Sequence, residues 1–456
     1  MQNNKLSNSL LLFSIVISTL LLLSVVPELK FNELTFKKIN ILADIQQEPA
    51  KQLSKKRSNS KKNNKKNNKK NNKKPDSCKT GMTCVEDYSK DKKALRFFIN
   101  ALKETKRKPV RIAFFGDSFI EGDILTASLR DTLQTIFGGK GVGYVPIASE
   151  VAQFRTSIQH TYANWETYSI VGKKSKWSPP GTPGYCFVPK EGNEIEYRPA
   201  KRKYVTPFKT IRLFYINPLN ASLDYVVNDT ITHSIELSTS QVVAQTKLNG
   251  ANIQSLKLTF NHTDSLKVYG LSFEESTGLY VDNLALRGNS GMGLYQVSSE
   301  MNQQFNAYQN YKLIILQYGL NVVTENDTLG YHWYIDKMVR VVNRLKQDFP
   351  ECSILLISVS DRSNNQNGKF KTIPFIPLMR DAQRKIAQKC GIAFWDLFSA
   401  MGGENSIVKY VNAVPPLAAK DYTHLTFKGG KKLAKQLAEA LLFEQEKYAK
   451  KKKIHP

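Results

Sequence analysis

The chain has 456 residues, 41% of them hydrophobic and 10% aromatic, enough to bury a sizeable core and to exclude a protein disordered throughout. Its formal charge of +27, from 66 Lys and Arg against 39 Asp and Glu, is concentrated: residues 51–74 carry twelve basic side chains and no acid, and Lys450 to Lys453 add four. The remainder is only moderately basic, so charge alone does not require a nucleic-acid partner, and five Cys are too few for a disulfide scaffold while their odd number leaves at least one thiol unpaired within the chain.

Leu10 to Val26 is seventeen uncharged residues, preceded by Lys5 and ended by Pro27. At about 1.5 Å per residue such a helix covers roughly 25 Å, just short of a ~30 Å hydrocarbon core. It reads as an uncleaved membrane anchor or a cleaved signal, with a buried core helix as the bland alternative. The basic residues Lys30, Lys37 and Lys38 follow the segment, which by the positive-inside rule would hold the bulk of the chain in the cytoplasm. The chemistry below instead favours export, to the periplasmic or extracellular side of the cell envelope, membrane-anchored or secreted.

Residues 51–74 are largely Lys/Asn repeats, and no apolar residue interrupts Ser58 to Lys74. Such a segment cannot bury a core, and like charges extend it. It reads as a solvated tether or as a patch that adheres to anionic envelope polymers. With no interleaved aromatic to stack a base, a nucleic-acid partner is not expected. Cys78 and Cys84 close a short loop after it and are either paired or reduced. Residues 1–27 are thus expected as the membrane segment and 28–90 as linker.

Val110 to Phe115 is an apolar run ending at Gly116, as expected of a buried parallel strand. Lys312 to Gln317, Ser353 to Val359 and Ile392 to Leu397 look the same. Helical patterns lie between and after them: Ile124 to Phe137, His332 to Gln347, Pro377 to Gln388 and Phe427 to Tyr448. This alternation predicts an α/β fold, a three-layer doubly wound parallel sheet with its ligand loops on one sheet edge. Residues 151–280 break the pattern. Thr, Val, Tyr and Ser abound there, turns recur, and Thr210 to Tyr215, Ser234 to Leu237 and Ser255 to Phe260 alternate. An inserted all-β sandwich is expected there, between core segments 91–150 and 281–449, with a basic tail at 450–456. Trp165, Tyr168, Trp177 and Tyr185 near its entry read either as a sugar-binding platform or as packing.

Four elements carry chemistry. Gly116-Asp117-Ser118 follows the first strand and precedes a helix, so the Ser118 hydroxyl is presented at the sheet edge near a helix N-terminus. Ile120 stands where the nucleophile elbow of α/β-hydrolases has its second Gly. Asp421 and His424 share one turn before the last helix, where an imidazole can take a Ser proton and a carboxylate can hold its tautomer. Asn321, after the strand ending at Gln317, can donate its amide to developing negative charge. The loop from Gly288 through Gly291 to Gly293 offers N–H groups without a Cβ in the way. Read singly, each has a structural alternative: a helix cap, a turn, a flexible loop. Of the other histidines, His160, His233 and His262 fall in the insert, His332 starts a helix and His455 lies in the tail. They form no metal-binding pattern, so neither metal nor other cofactor is expected.

In this order the four elements resemble the blocks of the SGNH/GDSL hydrolase superfamily. The stretches GDSFIEGDILTASLRDTLQTIFGGKGVGYVP and SLKVYGLSFEESTGLYVDNLALRGNSG look like those of bacterial peptidoglycan or polysaccharide O-acetylesterases that carry an inserted β-sandwich. The resemblance covers roughly residues 110–445 and implies a flavodoxin-like SGNH core. It also implies Ser118 as nucleophile, His424 as general base then acid, and Asp421 as its orienter. The implied oxyanion donors are the N–H groups of Ser118 and Gly291 and the side chain of Asn321, with Gly288 as fallback. Two departures stand out: Phe119 follows the serine where Leu is usual, and Val322 follows Asn321 where an acid is usual. The function implied is a serine esterase removing O-acetyl groups from an acetylated polysaccharide or peptidoglycan. An O-acetyltransferase acting on a polysaccharide and a catalytically dead wall-binding protein are the alternatives.

Overall fold

The computed structural model describes residues 78–201, 203–324 and 330–454, together with Ser18, 29–31 and 34–36. Residues 1–72 and 73–456 are two separate units. In the first, Leu29–Phe31 pairs antiparallel with Leu34–Phe36. The run Leu10 to Val26 (apart from Ser18) and the Lys/Asn repeats lie outside the described residues. Among those that are described, no helix is long and apolar enough to cross a membrane.

In the second unit one sheet is built from β1 (Val85–Asp87), β2 (Pro109–Gly116), β3 (Gly278–Ala285), β4 (Tyr311–Gln317), β5 (Ser353–Ile357) and β6 (Ala393–Trp395), in the spatial order β3-β2-β4-β5-β6-β1. All pairings are parallel except that of β1 with β6. The continuous apolar runs are explained by burial: Ile112, Ala113, Phe114, Leu313 and Ile314 have no exposed surface. Within the span 28–90, expected as linker, residues 78–90 belong to this fold. A Cys78–Cys84 disulfide precedes β1, Trp395 Nε1 donates to Thr83 O at 2.9 Å, and Arg384 grips Glu86 at 2.9 Å. These polar anchors, invisible in a periodicity reading, add the antiparallel edge strand.

Helices α1 (Thr126–Phe137) and α5 (Phe427–Ile454) pack together, as do α3 (His332–Asp348) and α4 (Phe375–Cys390), while α2 (Ser299–Gln309) precedes β4. Backbone helix α5 runs on through most of the basic tail expected from residue 450. Among the five parallel strands β2 is first in the chain, and their order is then 2-1-3-4-5. The connections leaving β2 and β4 diverge, so right-handed crossovers send their helices to opposite faces and open a crevice at the carboxyl ends of β2 and β4.

Between α1 and β3 the chain forms two antiparallel sheets. One is ordered Ser240–Ile253, Phe208–Asn217, Lys267–Glu274, Tyr185–Val188, Glu166–Ser169, with Gly143–Val145 added beside Lys267–Glu274; the other is Thr232–Glu236, Ser222–Val227, Leu256–Asn261, Asn193–Pro199, Ile158–Tyr162. They share one core. Ile211, Leu213 and Tyr215 of the first face Leu223, Leu258 and Phe260 of the second. The alternate residues Phe214 and Ile216 belong to the core of the parallel sheet. Strand Phe208–Asn217 is therefore buried on both faces, each large side chain stabilising by roughly 1.5–3 kcal/mol. At this seam Arg111 of β2 and Arg212 both pair with Glu274, at 2.7 and 2.8 Å. Buried charges survive there because they are matched.

Candidate active site

The turn after β2 is tight: a Cβ on Gly116 would lie 2.6 Å from Ile120 Cγ1 and 3.2 Å from Gln317 O. Asp117 closes it, its Oδ1 accepting from Phe119 N at 2.9 Å and its carbonyl from Ile120 N at 3.3 Å. Phe119 and Ile120 have no exposed surface. These two apolar anchors pin the turn inward and leave Ser118 half-buried at the crevice, its N–H donating to no protein acceptor among the described residues.

Ser118 Oγ lies 2.9 Å from His424 Nε2, and His424 Nδ1 lies 2.6 Å from Asp421 Oδ2. The second acid oxygen, Asp421 Oδ1, accepts the backbone N–H groups of Thr423 and His424, each at 3.0 Å. One short side chain thus folds its own turn and orients the imidazole. Burial pushes the Asp421 carboxyl up, but the His424 N–H, the imidazole and the Thr423 N–H outweigh it, so it sits below its ordinary value. The turn is held from outside by Tyr422, whose ring stacks on Phe370 at 3.6 Å.

Asn321, after β4, reaches the same place from the other side of the switch point. Its Nδ2 donates to Asp117 Oδ2 at 2.9 Å and to Asn289 O at 3.2 Å. Asp117 is fully buried. Burial pushes its carboxyl up to about 6, against the opposing pull of the Phe119 N–H, the nearby His424 and the Asn321 amide.

The glycine loop differs from expectation in one respect. The Gly291 N–H, expected to face the reacting group, donates to Asn289 Oδ1 at 2.9 Å. Gly291 lies at φ +88, and a Cβ there would meet Tyr318 Cδ2 at 2.8 Å, so this glycine serves packing. The Gly288 N–H donates to no protein acceptor among the described residues, and a Cβ at Gly288 would meet nothing within 4 Å. The fallback residue therefore has the free donor.

Ser118 and His424 line an open cavity of about 320 Å³, walled by Ile124, Val151, Phe154 and Phe427. Arg287 also lines it, tied to Glu121 at 2.5 Å and Glu150 at 3.6 Å. Sequence reasoning missed Asp117 and Asn289 as members of the site. It also missed the buried cluster beneath it, in which Asp123 takes Arg155 at 3.1 Å, Arg130 at 3.5 Å and Asn283 at 2.9 Å. The one available signal was that an acid immediately precedes the serine. Among the four aromatics at the insert's entry, Trp165 packs edge-on against Phe260 and Tyr185 stacks on Phe187, whereas Trp177 is 75% exposed.

No protein-family model matches the sequence, and no curated protein does. Among solved structures, a peptidoglycan O-acetylesterase superposes with a TM-score of 0.65 over 80% of this chain and 99% of that one, at 20% identity. The chain has that esterase's fold. A family two carbohydrate esterase from Cellvibrio japonicus (TM-score 0.26, 8% identity, 64% and 98% of the two chains) and a salicylyl-acyltransferase from a tetracycline biosynthetic pathway (0.27, 13%, 63% and 97%) are too distant in shape to add an argument.

Proposed function

We propose that this chain is a serine esterase that removes O-acetyl groups from a cell-envelope glycan through an acyl-enzyme on Ser118. The observation that carries the reading is the unbroken relay from Ser118 Oγ through His424 to Asp421, at 2.9 and 2.6 Å, at the mouth of the crevice. His424 Nε2 takes the hydroxyl proton as Oγ bonds to the ester carbonyl carbon, and Asp421 stabilises the imidazolium. The tetrahedral oxyanion is held by the N–H groups of Ser118 and Gly288 and by the Asn321 amide. Asn321 releases its longer bond to Asn289 O and keeps the one to Asp117. The sugar oxygen departs with the proton from His424, leaving acetyl-Ser118. Water then attacks, His424 takes its proton and returns one to Ser118 Oγ, and acetate leaves.

The glycan is inferred from the fold shared with the peptidoglycan O-acetylesterase, an analogy of fold. The Cys78–Cys84 disulfide supports placement in an oxidising compartment outside the cytoplasm, with Leu10 to Val26 as anchor or leader. The test is acetate release from acetylated peptidoglycan beside acetylated neutral polysaccharides, wild type against Ser118→Ala. Release by wild type and its loss, by about 10⁴-fold or more, in the variant is expected. Equal release by both proteins would sink the proposal.

A further inference from the structure

The loop that carries Gly288 separates two cavities. Arg287 lines the one that holds Ser118, whereas Gly288, Asn289 and Ser290 line the other, of about 460 Å³. The far wall of this second cavity is helix α3, whose Lys337 and Arg340 stand one turn apart on one face. Tyr295 closes the rim beneath the Arg344 guanidinium, 5.0 Å from its ring centroid, and Lys174 reaches Gln296 on the same rim at 2.6 Å.

Among the described residues, no acidic one lines this cavity. Lys337 and Arg340 form no ion pair among the described residues, unlike Arg287 across the loop, which is matched by Glu121 and Glu150. Two cations with no acidic partner, Lys337 lying only over the Trp333 ring at 5.5 Å, stand in a concavity one loop away from the nucleophile and favour an anionic group on a ligand already seated at Ser118. A polymer crossing the 287–290 loop would reach both cavities.

We infer that the cavity between the Gly288–Ser290 loop and helix α3 is a subsite for a carboxylate of the glycan or of a peptide attached to it, so that the substrate is an acid-bearing acetylated glycan. The subsite's part in turnover rests on the esterase reading; its binding of carboxylates does not. Binding is measured on the full chain carrying Ser118→Ala, with a disaccharide-peptide bearing free carboxylates, the same compound with its carboxylates amidated, and an oligouronate. At least one of the two acids should bind roughly five- to tenfold tighter than the amidated compound, and which one does so identifies where the carboxylate resides. That preference should vanish when Lys337→Gln and Arg340→Gln are added. It should also vanish in the parent protein at high salt, a readout that needs no further variant to fold.

Wild type carrying only the two Gln substitutions should keep its turnover of p-nitrophenyl acetate and show a KM for the acid-bearing glycan raised by a similar factor. Equal affinity for acid and amide, or a preference that survives both the double substitution and high salt, would overturn the inference. An absence of acetate release by wild type from every ester would sink the esterase reading alone, because the binding comparison still decides the subsite.

Discussion

Asp117 and Asp123 lie in the same loop after β2, neither exposes any surface, and they are in opposite electrostatic states. Among the described residues, no cation pairs with Asp117. Burial raises it to about 6 despite the hydrogen bonds from Phe119 and Asn321 and the nearby His424. Burial raises Asp123 too, but Arg155 and Arg130, with Ser157 and Asn283, hold it far below its ordinary value. Depth does not separate them; partners do. Asp123 is a permanent anion that ties the turn to Arg155 and Ser157 at the entry of the inserted strands and to Asn283 on β3. Asp117 sits behind the proposed nucleophile, orients Asn321, and takes up a proton only slightly below neutrality.

The sharpest way to break this comparison is Asp123→Ala. It leaves Arg130 and Arg155 buried without their anion and should cost about 3–5 kcal/mol of stability in urea unfolding. A loss under about 1 kcal/mol would mean the cluster is not fastening the loop. Next comes the residue that Asp117 orients. Asn321→Ala should lower kcat for acetate release roughly 10²–10³-fold, with KM and the unfolding midpoint little changed. An unchanged kcat would remove Asn321 from the oxyanion site.

The smallest effect is the pH dependence of Asp117 itself. Its folded value, about 6, lies above the ordinary 3.8, so the folded state binds that proton more tightly than the unfolded chain. The stabilisation is fully present below about pH 4 and is lost as pH rises through 6. Whatever the fixed offset of Asp117→Asn, wild type should lose roughly 1–3 kcal/mol relative to it between pH 4 and 7. A constant difference would show that Asp117 is held ionised after all.

Four of the five parallel strands were legible because strands buried on both faces read as unbroken apolar runs, and each of the four expected runs contains an observed strand. The serine, the Asp-x-x-His turn and the Asn after β4 each had a structural alternative when read singly; only their order in the chain pointed to one site, and the structure brings Ser118, His424 and Asp421 into contact. The edge strand Val85–Asp87 was not legible, since three residues carry no period and its register is set by contacts with Arg384 and β6. The choice between Gly288 and Gly291 was not, because it turns on where the Asn289 side chain points. Nor were Asp117 and Asp123 distinguishable. Arg130, Arg155 and Asn283 come from three separate segments, and only folding brings them onto Asp123.

The most direct test of the central claim is stoichiometric labelling of the folded full chain with a serine-directed phosphonate, read by intact mass and peptide mapping. One adduct per chain on Ser118, absent from Ser118→Ala and formed far more slowly in His424→Ala, is the outcome this geometry requires. Folded protein that takes no adduct, or that is labelled at the same rate after either substitution, would contradict it.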